Sequence, residues 1–112
     1  MILDTHCHLN HERLIADVEG CLERAQRAGI SRCIVVGCDL KSSQLAVSLA
    51  ETYPTSISAT IGVHPHEARH WDENTAQWLR ENAKHPSVVA IGELGLDFHY
   101  DFSPRQIGRA HV

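Results

Sequence analysis

Basic charge, aromatic rings and glycine-rich loops are all scarce in this 112-residue chain. Ten Lys and Arg residues face fourteen Asp and Glu, for a formal charge of −4. No global positive field therefore draws in a polyanion, and any contact with a phosphodiester would have to rest on a local site or a bound cation. No G-x-S-x-G elbow, phosphate loop or dinucleotide fingerprint occurs, which leaves a metal-activated water as the nucleophile the chain suggests. The four cysteines (Cys7, Cys21, Cys33, Cys38) form no C-x-x-C pair and no small disulfide framework. With apolar neighbours such as Ile34-Val35-Val36, they read as reduced core residues of a cytoplasmic protein. Met1-Ile2-Leu3-Asp4 has no basic region and no long apolar run, so neither a signal peptide nor a membrane anchor is expected. No linker or low-complexity tract interrupts the chain.

Histidine is the residue in excess. There are nine, and five fall in two tight clusters. Between and around them four short apolar runs recur: Met1 to Thr5, Ser31 to Cys38, Ile57 to Val63 and Ser87 to Gly92. The second and fourth are rich in Val and Ile, as buried parallel strands are. Helical patterns lie between the runs. Leu14, Val18, Leu22 and Ala25 recur every third or fourth residue, with Gly29 where a C-cap would sit. Leu45 and Leu49 mark a second helix that Tyr53-Pro54 ends, and Asp72 is placed to N-cap a third carrying Trp78 and Leu79. The series reads βαβαβαβ, an α/β class with parallel strands. An open doubly wound sheet usually carries a glycine-rich loop after its first strand, whereas here His-Cys-His-Leu-Asn-His stands in that position. The unusual residues gather at strand C-termini, where a (β/α)8 barrel keeps its chemistry. The expected fold is about four βα units of such a TIM-like barrel.

Residues two apart on a strand share a face. His6 and His8 in D-T-H-C-H should therefore project together, with Asp4 on the same side to orient a ring, while Leu3, Thr5 and Cys7 face the helices. Two imidazoles at a strand end can chelate one cation; the competing reading is a pair of loop histidines. Val89, Ile91 and Glu93 share a face by the same alternation, which puts a carboxylate at the top of an apolar interior. Buried charges are usually paired or coordinate metals, and a glutamate can bridge two cations as two-metal hydrolysis needs. The flanking Gly92 and Gly95 would allow close packing or an unusual turn. His64 and His66, in G-V-H-P-H, follow the third strand. One could touch a substrate phosphate or sit near the metals, or both could be solvated. Asp97, in G-L-D-F, could accept a hydrogen bond from a ligand or hold its own turn.

Taken together and in order, D-T-H-C-H, G-V-H-P-H and G-E-L-G-L-D-F resemble the TatD family of metal-dependent deoxyribonucleases, from Ile2 to about Arg105. The resemblance implies a (β/α)8 amidohydrolase-like barrel with two divalent metal ions (Zn, Mg, Mn or Fe) that hydrolyses DNA phosphodiesters as a 3′-5′ exonuclease. Carried over by position, His6 and His8 would bind one metal and Glu93 would bridge to a second. His64 and Asp97 would lie on the substrate side. DNA is then the partner as substrate, with no membrane and no obligate protein partner. Two further metal-binding histidines and a catalytic aspartate expected from the family are missing, so the 1–105 domain is expected to be partial and inactive alone. Other readings are another metal-dependent hydrolase of the amidohydrolase or phosphoesterase type, or a non-catalytic fragment. Residues 106–112 are expected to be a non-native tail, since Ile107-Gly108-Arg109-Ala110-His111-Val112 resembles read-through of a sequencing adapter.

Overall fold

The computed structural model describes residues 1–107. Strands and helices alternate as β1 (Ile2–Cys7), α1 (Val18–Arg27), β2 (Ile30–Val36), α2 (Leu40–Thr52), β3 (Ile57–Ile61), α3 (Glu73–Asn82) and β4 (Val88–Ile91). Short 3-10 turns at Ile15–Asp17 and Pro65–His70 lead toward α1 and α3. Every strand pair is parallel, and the order is β1-β2-β3-β4 without reversal. A doubly wound sheet reverses its strand order at a switch point. A run that keeps one direction, with helices in its crossovers, is the arc of a barrel.

Each helix begins where an aspartate satisfies a free N–H. Asp17 accepts from Gly20, Asp72 accepts from Thr75 at 2.7 Å, and Asp39 accepts from Ser42 at 2.7 Å while Ser42 Oγ accepts the Asp39 N–H at 3.0 Å. Such caps stabilise a helix by about 1 kcal/mol each. α1 stops at Ala28, and Gly29 takes the left-handed conformation at φ +90° that the position after a helix end favours. Leu14 falls outside α1, because Asp17 starts that helix three residues further on.

The central strands carry the core. Val35, Ile57, Ala59 and Ile61 are fully buried against Ala46, Val47 and Ala50 of α2 and Val18 of α1. The outer strands are open at their edges, with Leu3 48% exposed on β1 and Val89 54% exposed on β4. The interior face on which Val89 and Ile91 were expected to be covered is therefore open. A second departure lies in β1. Its register against β2 slips between Asp4 and Cys7, so that three steps on β1 match two on β2. An extra residue in a strand reverses the side-chain parity beyond it. Asp4 consequently groups with Cys7 and Cys33, not with the imidazoles.

At the far end, residues 105–107 are helical. The Ser103 hydroxyl accepts the Arg69 N–H and donates to the His66 carbonyl, both at 2.9 Å. It ties this segment to the Pro65–His70 turn. Gly108 to Val112, most of the expected tail, lie outside the described residues.

Candidate metal centre

His6 and His8 leave the C-terminal end of β1 with their Nε2 atoms 3.2 Å apart. Glu93 follows β4, and its Oε1 lies 3.2 Å from His6 Nε2. One donor atom from each of the three residues falls within 4.8 Å of the others. The Glu93 side chain is 26% exposed, half-buried at the rim rather than sunk in an interior. Two ring nitrogens and a carboxylate oxygen converging this closely suit a divalent cation of the zinc, manganese or iron type. The Asp4 carboxylate accepts the backbone N–H of His6 at 3.1 Å, so it steadies the turn into the site instead of orienting a ring.

Glu93 is carried to the histidines by its backbone. Gly92 N–H donates to Ile61 O at 2.9 Å, and Glu93 N–H donates to Gly37 O at 2.7 Å. The 92–93 segment thus hangs across the ends of β3 and β2. It fits because residue 62 has no side chain. A Cβ there would stand 2.6 Å from Glu93 O and from Gly92 C. Gly62 is held in turn by the buried Ser43 hydroxyl, which bonds both its N–H and its carbonyl at 3.1 Å. By contrast, a Cβ at Gly92 would meet nothing within 4 Å, and Gly95 serves the turn through its φ of +143°.

Cys38 also belongs to the site. Its thiol donates to Glu93 Oε2 at 2.9 Å. Burial, followed by that hydrogen bond and the charge of Glu93, pushes the thiol up to about 12. It remains a protonated donor at neutral pH. Its place directly after Gly37, at the mouth end of β2, was the signal that could have found it; a run of Val and Ile in front of it reads as core.

His64 and His66 stand on the far wall of an open cleft of about 270 Å³ that His8, Cys38, Glu67 and Glu93 also line. His64 Nδ1 accepts the His66 backbone N–H at 3.1 Å. The neutral His64 ring then carries its proton on Nε2 and offers a donor. Asp97 does not line this cleft. Its Oδ1 accepts the N–H groups of His99 and Tyr100 at 2.8 and 3.2 Å, and its Oδ2 meets His66 Nε2 at 3.0 Å. The His99 bond, with lesser help from Tyr100 and His66, holds Asp97 below the ordinary carboxylate range. Asp97 therefore orients His66 and its own turn.

A second group, Asp4, Cys7 and Cys33, also brings ligand atoms within 4.8 Å. Burial pushes the Cys7 thiol up to about 12 and raises Cys33. Cys7 donates to Ile34 O at 3.4 Å. These thiols are packing groups of the β1–β2 seam.

Comparison with known proteins supplies the family and the fold. The profile of the family described as TatD related DNase matches residues 3–109. The chain is 43% identical over 107 residues to the uncharacterized metal-dependent hydrolase YabD of Bacillus subtilis, covering 96% of this chain and 42% of that protein. It is 42% identical over 102 residues to the 3′-5′ ssDNA/RNA exonuclease TatD of Edwardsiella piscicida, covering 91% of this chain and 39% of that protein. The crystal structure of YJJV, a TatD homologue from Escherichia coli, superposes with a TM-score of 0.87 at 28% identity, over 98% of this chain and 43% of that one. The chain thus spans about two fifths of the length of these relatives, and its sheet is the N-terminal arc of their barrel. With the profile covering nearly all of it, the chain belongs to the TatD family.

Proposed function

We propose that these residues form the N-terminal part of a metal-dependent phosphodiesterase that trims nucleic-acid strands from one end. The observation that carries the reading is the convergence of His6 Nε2, His8 Nε2 and Glu93 Oε1 at the mouth of the sheet. His6 and His8 would hold one divalent ion, and Glu93 would reach from it toward a second. When bound, such ions polarise the phosphoryl group and supply a strong nucleophile near neutral pH. His64 faces the same cleft and would donate from Nε2 to a phosphate oxygen. Asp97 fixes His66 beside it, a substrate-side role one layer back. A groove of about 550 Å³ opens on the other side of His8, with Ile15, Val36 and Leu45 as apolar floor and His11 and Lys41 at its edges. That lining supports a nucleoside as the occupant. The net charge of −4 supports action on a strand end over a grip on long duplex, since few phosphates could be neutralised. Both the DNase description of the family and the exonuclease name of the Edwardsiella relative support the same substrate class.

A chimera tests this directly. Residues 1–105 replace the matching part of the Bacillus subtilis relative, and 5′- and 3′-labelled single-stranded DNA is supplied with Mn2+. The expected result is chelator-sensitive shortening from the 3′ end, reduced at least about 100-fold by His6→Ala or Glu93→Gln, beyond the loss typical of an outer positioning partner. Intact DNA with rapid turnover of a phosphomonoester or amide would overturn the substrate class. Undiminished cleavage by the His6 and Glu93 variants would overturn the assignment of the site.

A further inference from the structure

Building on the metal-centre reading, we propose that Cys38 is the positioning residue for Glu93, tethering Oε2 so that Oε1 is turned to the imidazoles. The two carboxylate oxygens have separate partners: Oε2 receives the Cys38 thiol at 2.9 Å, and Oε1 lies 3.2 Å from His6 Nε2. A glutamate on an exposed turn samples many rotamers, and ordering it costs side-chain entropy when a ligand binds. A donor fixed beforehand removes that cost. Cys38 is itself clamped. Its N–H donates to Ser42 Oγ at 2.8 Å and its carbonyl accepts the His64 N–H at 2.7 Å. One residue thereby joins the start of α2, the loop after β3 and the carboxylate after β4. The thiol is not part of the ligand group: the donors that fall within 4.8 Å of one another are those of His6, His8 and Glu93. Cys38 acts through the carboxylate.

Cobalt(II) is a probe that distinguishes this role from the alternatives, because its absorption reports both binding and any bond to sulfur. The 112-residue chain and its C38A, C38S, E93A and C38A/E93A variants are titrated with Co2+, and far-UV circular dichroism checks each fold. The expected result is binding by the wild-type chain without a thiolate charge-transfer band. C38A should bind about tenfold more weakly, the lower end for an outer-shell partner of a metal ligand. C38S, which keeps a donor, should recover to within about threefold. In the E93A background, C38A should add less than about twofold, since the two residues act as one unit. A C38A affinity equal to wild type overturns the proposal, as does the full tenfold loss persisting without Glu93. A sulfur charge-transfer band that disappears in C38A would make Cys38 a ligand instead, and C38S as weak as C38A would remove the donor from the account. If C38A loses its helical signal, C38S and its band decide alone. Failure of the wild-type chain to take up Co2+ is a separate outcome that overturns the metal centre itself.

Discussion

Gly62 is the residue through which the backbone most directly controls the proposed metal centre, so Gly62→Ala should damage it from a distance in sequence. The new Cβ would lie 2.6 Å from Glu93 O and Gly92 C and 2.8 Å from Gly92 O, about 0.8 Å inside the 3.4 Å edge of ordinary contact. All three atoms are backbone, so no side chain can rotate away. Either β3 or the 92–93 segment must shift by close to that amount. The shift strains the Gly92–Ile61 and Glu93–Gly37 hydrogen bonds of 2.9 and 2.7 Å, and overpacking of this kind costs about 1–3 kcal/mol. The same displacement carries Oε1 away from its 3.2 Å approach to His6. Urea unfolding should show the stability loss, and Co2+ titration should show affinity lowered by at least about tenfold, as when a ligand's support is removed. Gly92→Ala is the control. It alters the immediate neighbour of Glu93, yet a Cβ there meets nothing within 4 Å, so stability should stay within about 0.5 kcal/mol and metal uptake should hold. Equal tolerance of the two variants, or a Gly62→Ala chain that loses stability but binds Co2+ normally, would refute the reasoning.

Two further outcomes follow from buried polar groups. Thr60 Oγ1 is buried without a hydrogen-bond partner among the described residues, so Thr60→Val should be neutral or stabilise the chain by up to about 1 kcal/mol; a clear loss in urea unfolding would mean that the hydroxyl is satisfied. Burial lifts the Cys7 thiol from 9.0 to about 12, so its contribution to stability is fully present below pH 9 and is lost as pH rises toward 12. At pH 9 the native thiol holds about 500-fold less thiolate than the unfolded one, and because the thiolate is the nucleophile, iodoacetamide labelling read by mass spectrometry should be slower in the native chain by a comparable factor. Labelling at the same rate with and without urea would contradict this.

The sequence was readable wherever one residue's local chemistry decides the outcome. Asp72 announces its helix because a side-chain oxygen meets an N–H three residues away. Gly29 announces a helix end because few other residues tolerate its φ. His6 and His8 were legible as a pair because they are two apart at a strand end. The face of Asp4 was not legible, since strict alternation holds only until a bulge, and this bulge arises from how β1 registers on β2. Gly62 was illegible for a related reason, and Cys38 carried only its place after Gly37 as a signal. Each matters through an atom of Glu93, thirty or more residues further on, and no local pattern marks a glycine whose missing Cβ makes room for a distant peptide. Asp97 could be read as ligand-binding or turn-holding, and only the three-dimensional pairing with His66 and the His99 N–H separates those roles.

The two sides of the proposed metal centre are built to different standards. Glu93 is fixed by its N–H on Gly37, by the neighbouring Gly92 N–H on Ile61, by the glycine at 62 and by the Cys38 thiol. His6 and His8 stand at the end of a strand that is paired on one side and slips in register between Asp4 and Cys7. The apolar residues at the outer edges, Ile2 and Leu3 on β1 and Val89 and Ile91 on β4, are each roughly half exposed. In a closed barrel a neighbouring strand would pair each of these edges and facing layers would fill the interior. Closure would therefore act mainly on the histidine side, where pairing is incomplete, and little on the carboxylate side, which β2 and β3 already hold. The rigidity of the carboxylate arm is encoded within these four βα units, whereas the rigidity of the imidazole arm depends on what pairs with β1.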